Sequence, residues 1–481
     1  MSIRVFHATI QGMDPQIQIV RTRIAPSPTG FPHIGTIYQV LFDWAFAKSQ
    51  RGQFILRIED TDRARFVEGA EEVIYDSLNW FGLIPDESPI LGGAYGPYRQ
   101  SERLVIYQRY AQELIKKDYA YYCFCTRERL EKMRQEQIAK KLPPMYDELC
   151  LTLATEEIER NLQTKVPFVI RMKVPQDQKI PIDDLIAGRV EFDSNVIDHQ
   201  VLIKSDGFPT YHLGVVVDDH EMKISHVFRG KEWLSSTPKH KLLYDYFGWQ
   251  MPVHGHLPLI LNSDGKGKLS KRHGHASVAY YKQEGFLPEA VLNYLSNIVW
   301  HHPQGKEIYS LAEFIKYLDM TKITSQGARF DLTKLQWMNG EYIRNKPDSQ
   351  LSTQIYDFFA GKYTEDLIEK ILPLTKERIK TLKEFAHYVK PFVNYVAIEL
   401  EEKYKNLLPE FDQWLSGEKD WKTLTLETKA KEIVANHQLS MRDAFMALRL
   451  AVTGEKIGLP LFETFEILGS DEVLKRLKIY L

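Results

Sequence analysis

Two short segments of the sequence carry residue types that suit the chemistry of phosphate groups. The first reads PHIGT over residues 32–36 and places His33 and Gly35 at the junction of an apolar strand pattern and a helical one. A helix N-terminus offers free N–H groups to a phosphate, and a glycine lets the backbone approach it closely. The second reads KLSKR over residues 268–272, in a loop with three glycines. A mobile cationic loop of this kind suits the stabilisation of a departing pyrophosphate.

Each segment on its own also has a simpler interpretation. Pro32-His33 is an ordinary way to start a helix, and a lysine-rich run such as residues 266–272 is usually a solvated surface loop. The two segments occur together, however, each at a junction in an alternating strand–helix pattern. Their order and spacing are compatible with one sheet, which favours a shared site that handles a nucleotide.

Apolar periodicity predicts the elements that would position both segments. A buried strand at 17–25, a helix at 33–48 and a strand at 54–59 form a βαβ start. Such a start indicates a parallel sheet with ligands at the carboxyl ends of its strands. The pattern is interrupted between about residues 119 and 201. The later predicted elements are a strand at 224–228, a helix opened by Thr237-Pro238, a strand at 257–261, and helices near 311–318, 376–388 and 444–450.

Composition excludes several classes of protein. With 481 residues, 44% of them hydrophobic, the chain is long enough for about three domains with sizeable cores. A net charge of −2 gives no overall basic field, so nucleic acid would have to bind at local basic patches. No apolar run approaches the roughly 18 residues of a membrane span, and the first twenty residues do not read as a signal or transit peptide. We expect a cytoplasmic protein without membrane association.

Further stretches give the two segments a family context. The pair resembles the two signature sequences of the class I aminoacyl-tRNA synthetases, and longer stretches resemble the bacterial glutamyl-tRNA synthetases. The resemblance runs from about residue 21 to the C-terminus, so it covers nearly the whole chain. The stretches that carry it are RTRIAPSPTG at 21–30, RIEDTDR at 57–63, GPYRQSE at 96–102, DGFPTYHL at 206–213, WMNGEYIR at 337–344, AVTG at 451–454 and PLFE at 460–463.

The resemblance implies both a fold and an activity. The fold is an α/β Rossmann-type catalytic domain with an inserted α+β acceptor-binding domain, followed by an all-α anticodon-binding region. The activity is glutamate–tRNA ligation, in which ATP activates L-glutamate as glutamyl-adenylate and the 2′-OH of the tRNA terminal adenosine takes the acyl group. The predicted division is an N-terminal extension at 1–20, the catalytic domain at 21–99 and 218–257, the connective insertion at 100–217, a stem-contact region with the lysine loop at 258–347, and the helical anticodon-binding region at 348–481.

The resemblance also implies which side chains bind the amino acid. They are Arg23, Ser27, Glu59, Tyr211 and Arg229. Glutamate carries two carboxylates and one ammonium, and the residue types match these charges. The arginines offer forked donors to the side-chain carboxylate, and Glu59 can pair with the α-ammonium. Outside the family context, Glu59 could instead cap its strand and Arg229 could pair with Glu232.

A second group of residues is implied for ATP. They are His33, Gly35, Glu232, Leu269 and Lys271. His33 and Lys271 are the expected catalytic residues, with His33 at the ATP phosphates and Lys271 stabilising charge on the α-phosphate and pyrophosphate. Mg²⁺ is expected on the phosphates. Positioning and charge stabilisation would provide most of the catalysis, because no covalent enzyme intermediate is needed.

The three cysteines lie close together in the sequence, which favours a metal site in a reducing compartment over a disulfide framework. Some relatives hold a structural zinc here, so Cys123, Cys125 and Cys150 are candidate ligands. Three thiolates leave zinc one ligand short of its tetrahedral preference, and Tyr146 could supply the fourth. The position at which other relatives have a histidine ligand is Thr152. Free buried cysteines are the alternative.

Two positions depart from the family pattern. Thr36 stands where the general class has histidine, and Lys231 stands where many relatives have an acid. Three other functions are compatible with parts of the sequence. Glutamyl-queuosine tRNA synthetases lack an anticodon-binding region, and glutaminyl enzymes fit Arg229 less well. A catalytically silent RNA-binding paralogue would have no need of His33, Glu59, Arg229 and Lys271 together.

The expected partners are tRNA-Glu and L-glutamate, and the resemblance implies a monomer. RNA contact would run from the insertion at the acceptor end to the helical region at the anticodon. Arg344, Lys346 and Arg449 are candidate RNA contacts, although basic residues on helices are mostly solvated charge. Whether tRNA-Gln is also charged stays open at this point.

Overall fold

The computed structural model describes residues 19–269, 274–437 and 440–481. Most of the predicted N-terminal extension therefore lies outside the described residues, and so does Lys271. The chain divides into two compact units. The first comprises Met1–Val278 and Leu292–Asp331, and the second comprises Ala279–Val291 and Leu332–Leu481.

The first unit contains the described strands and most of the helices before residue 318. Residues 279–291, which include most of one of these helices and the start of the next, belong to the second unit. The strands are β1 Arg21–Ile24, β2 Gln53–Leu56, β3 Ala120–Cys123, β4 Val169–Met172, β5 Lys179–Asp184, β6 Gly188–Asp193, β7 Val201–Ile203, β8 His226–Gly230, β9 Val253–Leu257, β10 Ile260–Leu261 and β11 Ala328–Arg329. The helices up to residue 317 are α1 Ile34–Ser49, α2 Ala70–Phe81, α3 Leu104–Lys116, α4 Arg127–Ala139, α5 Thr155–Gln163, α6 Tyr211–Glu221, α7 Thr237–Phe247, α8 Val278–Glu284, α9 Pro288–Asn297 and α10 Leu311–Tyr317.

Parallel strands form the core of the first unit. β1 pairs with β2, and β8 pairs with β9, both in parallel. β1 also lies beside β8, where the N–H of Ser225 donates to the carbonyl of Arg21 at 2.9 Å. The strands therefore follow each other in the order β2, β1, β8, β9, and the chain order reverses between β1 and β8. Such a switch point is where open α/β sheets bind ligands, which supports the Rossmann-type prediction.

Helix α1 covers this core because its apolar residues recur at helical spacing. Ile34, Ile37, Leu41 and Ala45 are all buried, and α1 packs against β1, β2, β8 and α10. The helix begins at His33, whose side chain accepts a hydrogen bond from the N–H of Gly35. A histidine imidazole here does the capping that serine or aspartate usually does.

The inserted segment forms a small sheet and a hairpin. β3, β4 and β7 form an antiparallel sheet, and β5 and β6 pair as an antiparallel hairpin. Along β5 buried and exposed residues alternate, with Ile180, Ile182 and Asp184 on the buried face. β5 also pairs in parallel with β9 at Asp184 and His254, so the hairpin extends the core sheet. Mixed strands and helices confirm the α+β character of the insertion.

The second unit is helical, and its described residues contain no strand. Its further helices are α11 Leu332–Asn345, α12 Asp348–Phe358, α13 Glu365–Thr375, α14 Phe385–Val393, α15 Glu402–Lys405, α16 Leu408–Gly417, α17 Thr423–Asn436, α18 Met441–Thr453, α19 Leu461–Leu468 and α20 Ser470–Leu477. Two apolar clusters stabilise it, one around Ile355, Ile371 and Phe385 and one around Phe411 and Leu448. This confirms the prediction of an all-α C-terminal region.

Two predicted elements differ from the structure. The strand predicted at 257–261 is divided, since β9 ends before Pro258, which has no N–H to donate to the ladder. The helix predicted at 376–388 is wrong in its first half. There the N–H of Leu382 donates to Gly285 and the carbonyl of Lys380 accepts from Asn339, so other segments take these backbone groups. Within the described chain, no helix combines the length and apolar character required to cross a membrane.

Candidate active site

The switch point of the core sheet brings together four of the predicted amino-acid ligands. Arg23 comes from β1, Glu59 follows β2, Tyr211 begins α6, and Arg229 comes from β8. The charges of the other three all act on Tyr211, so the four side chains lie in one neighbourhood. Ser27 lies in the exposed loop after β1, where its carbonyl accepts from Thr29 N–H. The structure therefore gathers residues that lie up to about two hundred positions apart in the chain.

Arg229 is buried and fully engaged with neutral partners. Its Nε donates to His256 Nε2 at 3.0 Å, and one terminal nitrogen donates to Tyr211 Oη at 3.1 Å and His240 Nδ1 at 3.3 Å. The other terminal nitrogen donates to Thr237 Oγ1 at 2.8 Å and to the Trp233 carbonyl at 3.4 Å. These bonds fix the plane of the guanidinium, and Arg229 as a whole is 3% exposed.

No carboxylate among the described residues forms an ion pair with Arg229. Glu232, the alternative partner, instead accepts a salt bridge from Lys268. Burial lowers the pKa of Arg229, and the positive charge of Arg23 lowers it further against the opposing effects of Tyr211 and Asp219. A buried cation without a counter-ion is costly. The site is therefore electrostatically incomplete until an anion binds beside Arg229.

Arg23 differs from Arg229 because it has a buried acid. Its Nε lies 3.1 Å from Asp219 Oδ1, and a terminal nitrogen lies 3.1 Å from Asp219 Oδ2. Arg57 shares the same acid at 2.8 Å and also contacts Asp218 at 3.4 Å. Burial alone would lower the pKa of Arg23, but Asp219 more than offsets this and the pKa is raised. Arg23 is thus a permanent, anchored cation at the edge of the site.

Glu59 is poised between charged and neutral forms. Burial raises its pKa to about 7, although Arg57 and Arg23 act in the opposite direction. Arg57 donates to Glu59 Oε1 at 3.4 Å, and the backbone N–H of Glu59 donates to the Pro26 carbonyl at 3.0 Å. An arriving ammonium group would favour the charged form of Glu59. The residue therefore can act as a cation acceptor rather than a strand cap.

The first motif closes a compact turn around an imidazole. Gly35 N–H donates to His33 Nδ1 at 2.9 Å, and a Cβ on residue 35 would lie 3.0 Å from that nitrogen. His33 also bridges to Ser277, and Ile34 N–H donates to the Ala276 carbonyl at 2.8 Å. The glycine therefore leaves room for the His33 ring, an effect that the sequence interpretation missed. The ring is held at the N-terminus of α1, which follows the carboxyl end of β1.

The lysine loop returns to the site through its first residues. Lys268 forms its salt bridge with Glu232, and it bridges to Leu261 at the end of β10. Leu269 is buried, and its N–H donates to the Ile260 carbonyl at 2.9 Å. Two of the predicted ATP residues therefore lie next to Lys268: Glu232 is its salt-bridge partner, and Leu269 follows it in the chain. The prediction for Lys271 lies outside the described residues.

The three cysteines form a separate cluster in which Cys123 and Cys150 are buried and Cys125 is half-buried. The three sulfur atoms all lie within 4.8 Å of one another, and Cys125 and Cys150 are 3.5 Å apart. Tyr146 Oη lies 3.5 Å from Cys123 and 3.4 Å from Cys125, and Cys150 N–H donates to it. Burial would raise the pKa of Cys123, but Tyr146 and nearby Arg171 outweigh burial and lower it. Burial raises the pKa of Cys125 to about 12.

Comparison with known proteins identifies the family. Residues 19–337 match the family model described as tRNA synthetases class I (E and Q), catalytic domain, and residues 350–481 match an anticodon binding domain. A glutamate–tRNA ligase of Pseudoalteromonas translucida is 44% identical, with 96% of this chain and 95% of the relative covered. One from Psychrobacter sp. is 45% identical, with coverage of 95% and 92%. The chain belongs to the glutamate–tRNA ligase family.

A solved structure agrees with this membership. The glutamate–tRNA ligase of Elizabethkingia meningosepticum, determined in complex with its amino acid, has a TM-score of 0.87 and 37% identity, covering 96% of this chain and 99% of that one. Members of this family are ATP-dependent ligases of class I. The anticodon-binding match weighs against the queuosine-type alternative, which lacks such a region. The exact domain boundaries predicted from the sequence stay predictions.

The candidate RNA contacts and Lys231 all have partners within the chain. Arg344 forms a salt bridge with Glu341, and Lys346 lies 2.6 Å from Glu289. Arg449 donates to the Leu459 carbonyl at 2.8 Å, and Lys231 donates to the Ser325 carbonyl at 3.3 Å. RNA would have to compete with these contacts. Their role in RNA binding stays a prediction.

Sequence interpretation missed the residues that support the site. These are Arg57, Asp184, Asp218, Asp219, Thr237, His240 and His256. One signal was available for two of them, because Asp218 and Asp219 follow the apolar run Val215–Val217 on a helix with a buried face. Two adjacent acids next to such a run indicate buried charge with partners elsewhere. The imidazoles gave no comparable signal.

Proposed function

We propose that this chain activates L-glutamate with ATP and transfers it to the 3′-terminal adenosine of tRNA-Glu. The observation that carries the proposal is the buried Arg229, which forms no ion pair with a carboxylate of the described residues. It lies near a second arginine, Arg23, the Tyr211 hydroxyl and the Glu59 carboxylate. A glutamate ligand supplies what this group of charges lacks. Its side-chain carboxylate offers the anion, and its ammonium offers the cation.

Each pocket residue has a role that follows from its geometry. We assign the side-chain carboxylate to Arg229 and Tyr211, whose side chains are 3.1 Å apart. The carboxylate would take the terminal N–H groups that now make the long contacts with His240 at 3.3 Å and the Trp233 carbonyl at 3.4 Å. Arg23 adds a fixed positive charge that Asp219 holds in place. Glu59 binds the α-ammonium through its ionised carboxylate. Its pKa of about 7 makes that form available near neutral pH. Ser27, in the loop above β1, borders the α-carboxylate side.

The reaction has two displacement steps. In the first, an oxygen of the glutamate α-carboxylate attacks the α-phosphorus of ATP, a P–O bond forms, and pyrophosphate leaves with the electrons of the bond that breaks. In the second, the ribose 2′-OH attacks the activated carbonyl, loses its proton, and AMP leaves. The chain contributes position and charge rather than a nucleophile.

The nucleotide would bind along the N-terminus of α1. His33 holds a fixed imidazole there, and Gly35 keeps the turn open for both ring and phosphate. Glu232 and Leu269 would border the nucleoside, and Lys271 would stabilise charge on the α-phosphate and pyrophosphate. Mg²⁺, which this family is expected to use, would neutralise phosphate charge. Lys268 already anchors the loop at Glu232.

The remaining partners follow from the family. The insertion would meet the acceptor end of tRNA, and the helical unit would meet the anticodon through groups such as Arg344, Lys346 and Arg449. We propose a monomer that works in the cytoplasm. The measurement that tests the function is ATP–pyrophosphate exchange with glutamate or glutamine, with and without tRNA.

Each outcome of the exchange assay has a clear meaning. Exchange with glutamate that requires tRNA supports the proposal. Exchange with glutamate alone favours the queuosine-type activity, and exchange only with glutamine assigns the other amino acid. No exchange from folded protein under any condition favours the silent RNA-binding paralogue. Charging of purified tRNA-Glu and tRNA-Gln then decides whether the enzyme discriminates between them.

We propose that the cysteine cluster holds one zinc ion. In a tetrahedral zinc site with Zn–S bonds of about 2.3 Å, ligand sulfurs lie about 3.8 Å apart, which agrees with the 3.5 Å between Cys125 and Cys150. Tyr146 Oη is within reach as a fourth donor. When bound, zinc would join β3 to the turn at residues 149–152 and so stabilise the insertion. Two buried thiols, one half-buried thiol and a phenol in contact fit that role.

A cysteine substitution tests the zinc proposal. We expect the wild type to contain about one zinc per chain by elemental analysis, and Cys150→Ser to contain almost none, because only two thiolates remain. The variant should also unfold at a lower temperature, since metal-binding energy is folding energy. Thr152→Ala is the matched control and should keep its zinc. Zinc-free wild type after purification with zinc present would contradict the proposal.

A further inference from the structure

We propose that Asp184 and His256 are positioning residues for glutamate binding, because they fix the orientation of Arg229. The inference rests on the proposed function, and it adds two residues that neither the sequence motifs nor the family resemblance assigned to the site. His256 lies between the acid and the guanidinium. Its Nδ1 is 2.5 Å from Asp184 Oδ2, and its Nε2 is 3.0 Å from Arg229 Nε.

The chemistry of the three groups permits one protonation pattern. An arginine Nε–H can only donate, so His256 Nε2 must be an acceptor and cannot carry a proton. A neutral imidazole then carries its proton on Nδ1, where the ionised Asp184 accepts it. Asp184 therefore selects the tautomer that accepts from Arg229. Both side chains are completely shielded from solvent, so water cannot replace either bond.

Strand register fixes the distances between Asp184, His256 and Arg229. Arg229 on β8 and His256 on β9 are register partners in the parallel pair. Asp184 reaches the same point because β5 pairs with β9 at the neighbouring His254. Since all three side chains come from hydrogen-bonded strands, the guanidinium plane is set by the sheet. The pair thus acts on substrate through Arg229 and does not itself touch it.

The backbone around Asp184 also fixes which oxygen meets the imidazole. Oδ1 accepts from the N–H groups of Ile186 at 3.0 Å, Ala187 at 2.7 Å and His256 at 3.1 Å. In an Asp184→Asn variant the amide oxygen would take these bonds, and the NH₂ group would face His256 Nδ1. The ring would have to move its proton to Nε2, where it would oppose Arg229 Nε–H. The substitution therefore reverses the tautomer with almost no change in shape.

The first test is the kinetics of Asp184→Asn in tRNA-dependent ATP–pyrophosphate exchange. We expect KM for glutamate to rise by about ten- to a hundredfold, while KM for ATP stays within twofold and kcat falls less than KM rises. His226→Asn is the matched control. His226 is also a buried imidazole on a core strand, with Ser225 Oγ as its partner at 2.9 Å. It should leave both KM values unchanged.

A pair of His256 variants keeps the proposal testable if Asp184→Asn folds poorly. The His256→Gln amide can reach the Nε2 position and accept from Arg229, whereas His256→Asn reaches only the Nδ1 position. We expect glutamate KM to be at least tenfold higher for asparagine than for glutamine. Equal glutamate KM values for the two, or an equal rise in KM for ATP, would assign the pair a structural role and overturn the proposal. Absence of glutamate exchange in the wild type would instead reject the proposed function itself.

Discussion

Replacing Arg229 by lysine is expected to lower kcat/KM for glutamate by about 10²- to 10³-fold in tRNA-dependent exchange. Lysine keeps the charge but has no planar fork, so it cannot hold a carboxylate with two parallel bonds. Hydrogen bonds to charged groups contribute about 1.5–3 kcal/mol each, and losing one or two of them accounts for that range. The substitution also removes the Nε–H group from which His256 Nε2 accepts a hydrogen bond.

The expected pattern is selective for the amino acid. KM for ATP should change little, because the residues proposed to bind the nucleotide are others: His33 and Gly35 at the start of α1, Glu232, and the lysine loop. Arg109→Lys is a suitable control, since Arg109 is an exposed arginine in a salt bridge with Glu221. It should leave glutamate kinetics unchanged. A fall in kcat/KM of less than threefold for Arg229→Lys would remove Arg229 from the pocket.

Replacing Asp219 by asparagine is expected to destabilise the first unit by about 3–5 kcal/mol, because its carboxylate pairs with two buried arginines. The unfolding temperature of that unit should fall by roughly 5–15 °C, measured by differential scanning calorimetry of the full chain. Burial would raise the pKa of Asp219, but Arg23 and Arg57 outweigh burial and lower it. Its contribution is therefore present at neutral pH and is lost as pH falls through the acid range.

An exposed acid of the same unit provides the control for Asp219. Asp245 pairs with Lys241 one helical turn away, and half of its side chain is exposed. Asp245→Asn should change stability by less than about 0.5 kcal/mol, since exposed ion pairs contribute little. Equal unfolding temperatures for the two variants would show that Asp219 does not carry the compensating charge.

The start of the fold was predictable because it is local. Apolar spacing predicted α1, and it is confirmed nearly to the residue. The candidate pocket residues could be predicted because they belong to short sequence motifs, each about ten residues long or shorter. Their partners were not predictable in the same way. Asp219 lies 196 residues from Arg23, and Asp184 lies 72 residues from His256. Periodicity reports which face of an element is buried, but it does not report which distant strand faces it.

Loops whose backbone groups bond to distant segments were also not predictable from the sequence. Residues 376–384 have the composition of a helix, and local propensity alone predicts one. Gly285 and Asn339 instead take backbone groups of this stretch, and these tertiary bonds replace the helical ones. Helix α14 begins only at Phe385, after the stretch is anchored. Whether helical or tertiary hydrogen bonds form in such a stretch depends on the complete fold and not on the local sequence.

The hairpin formed by β5 and β6 makes the inserted segment inseparable from the catalytic core. If it were excised, β9 would become an unprotected edge with open N–H and C=O groups, which invites association with other chains. His256 would also be left without the acid that sets its proton. A shortened, autonomous version of the catalytic domain would therefore need a new strand cover and a new carboxylate. Evolutionary trimming or engineered minimisation of this enzyme should preserve β5 even where the rest of the insertion is lost.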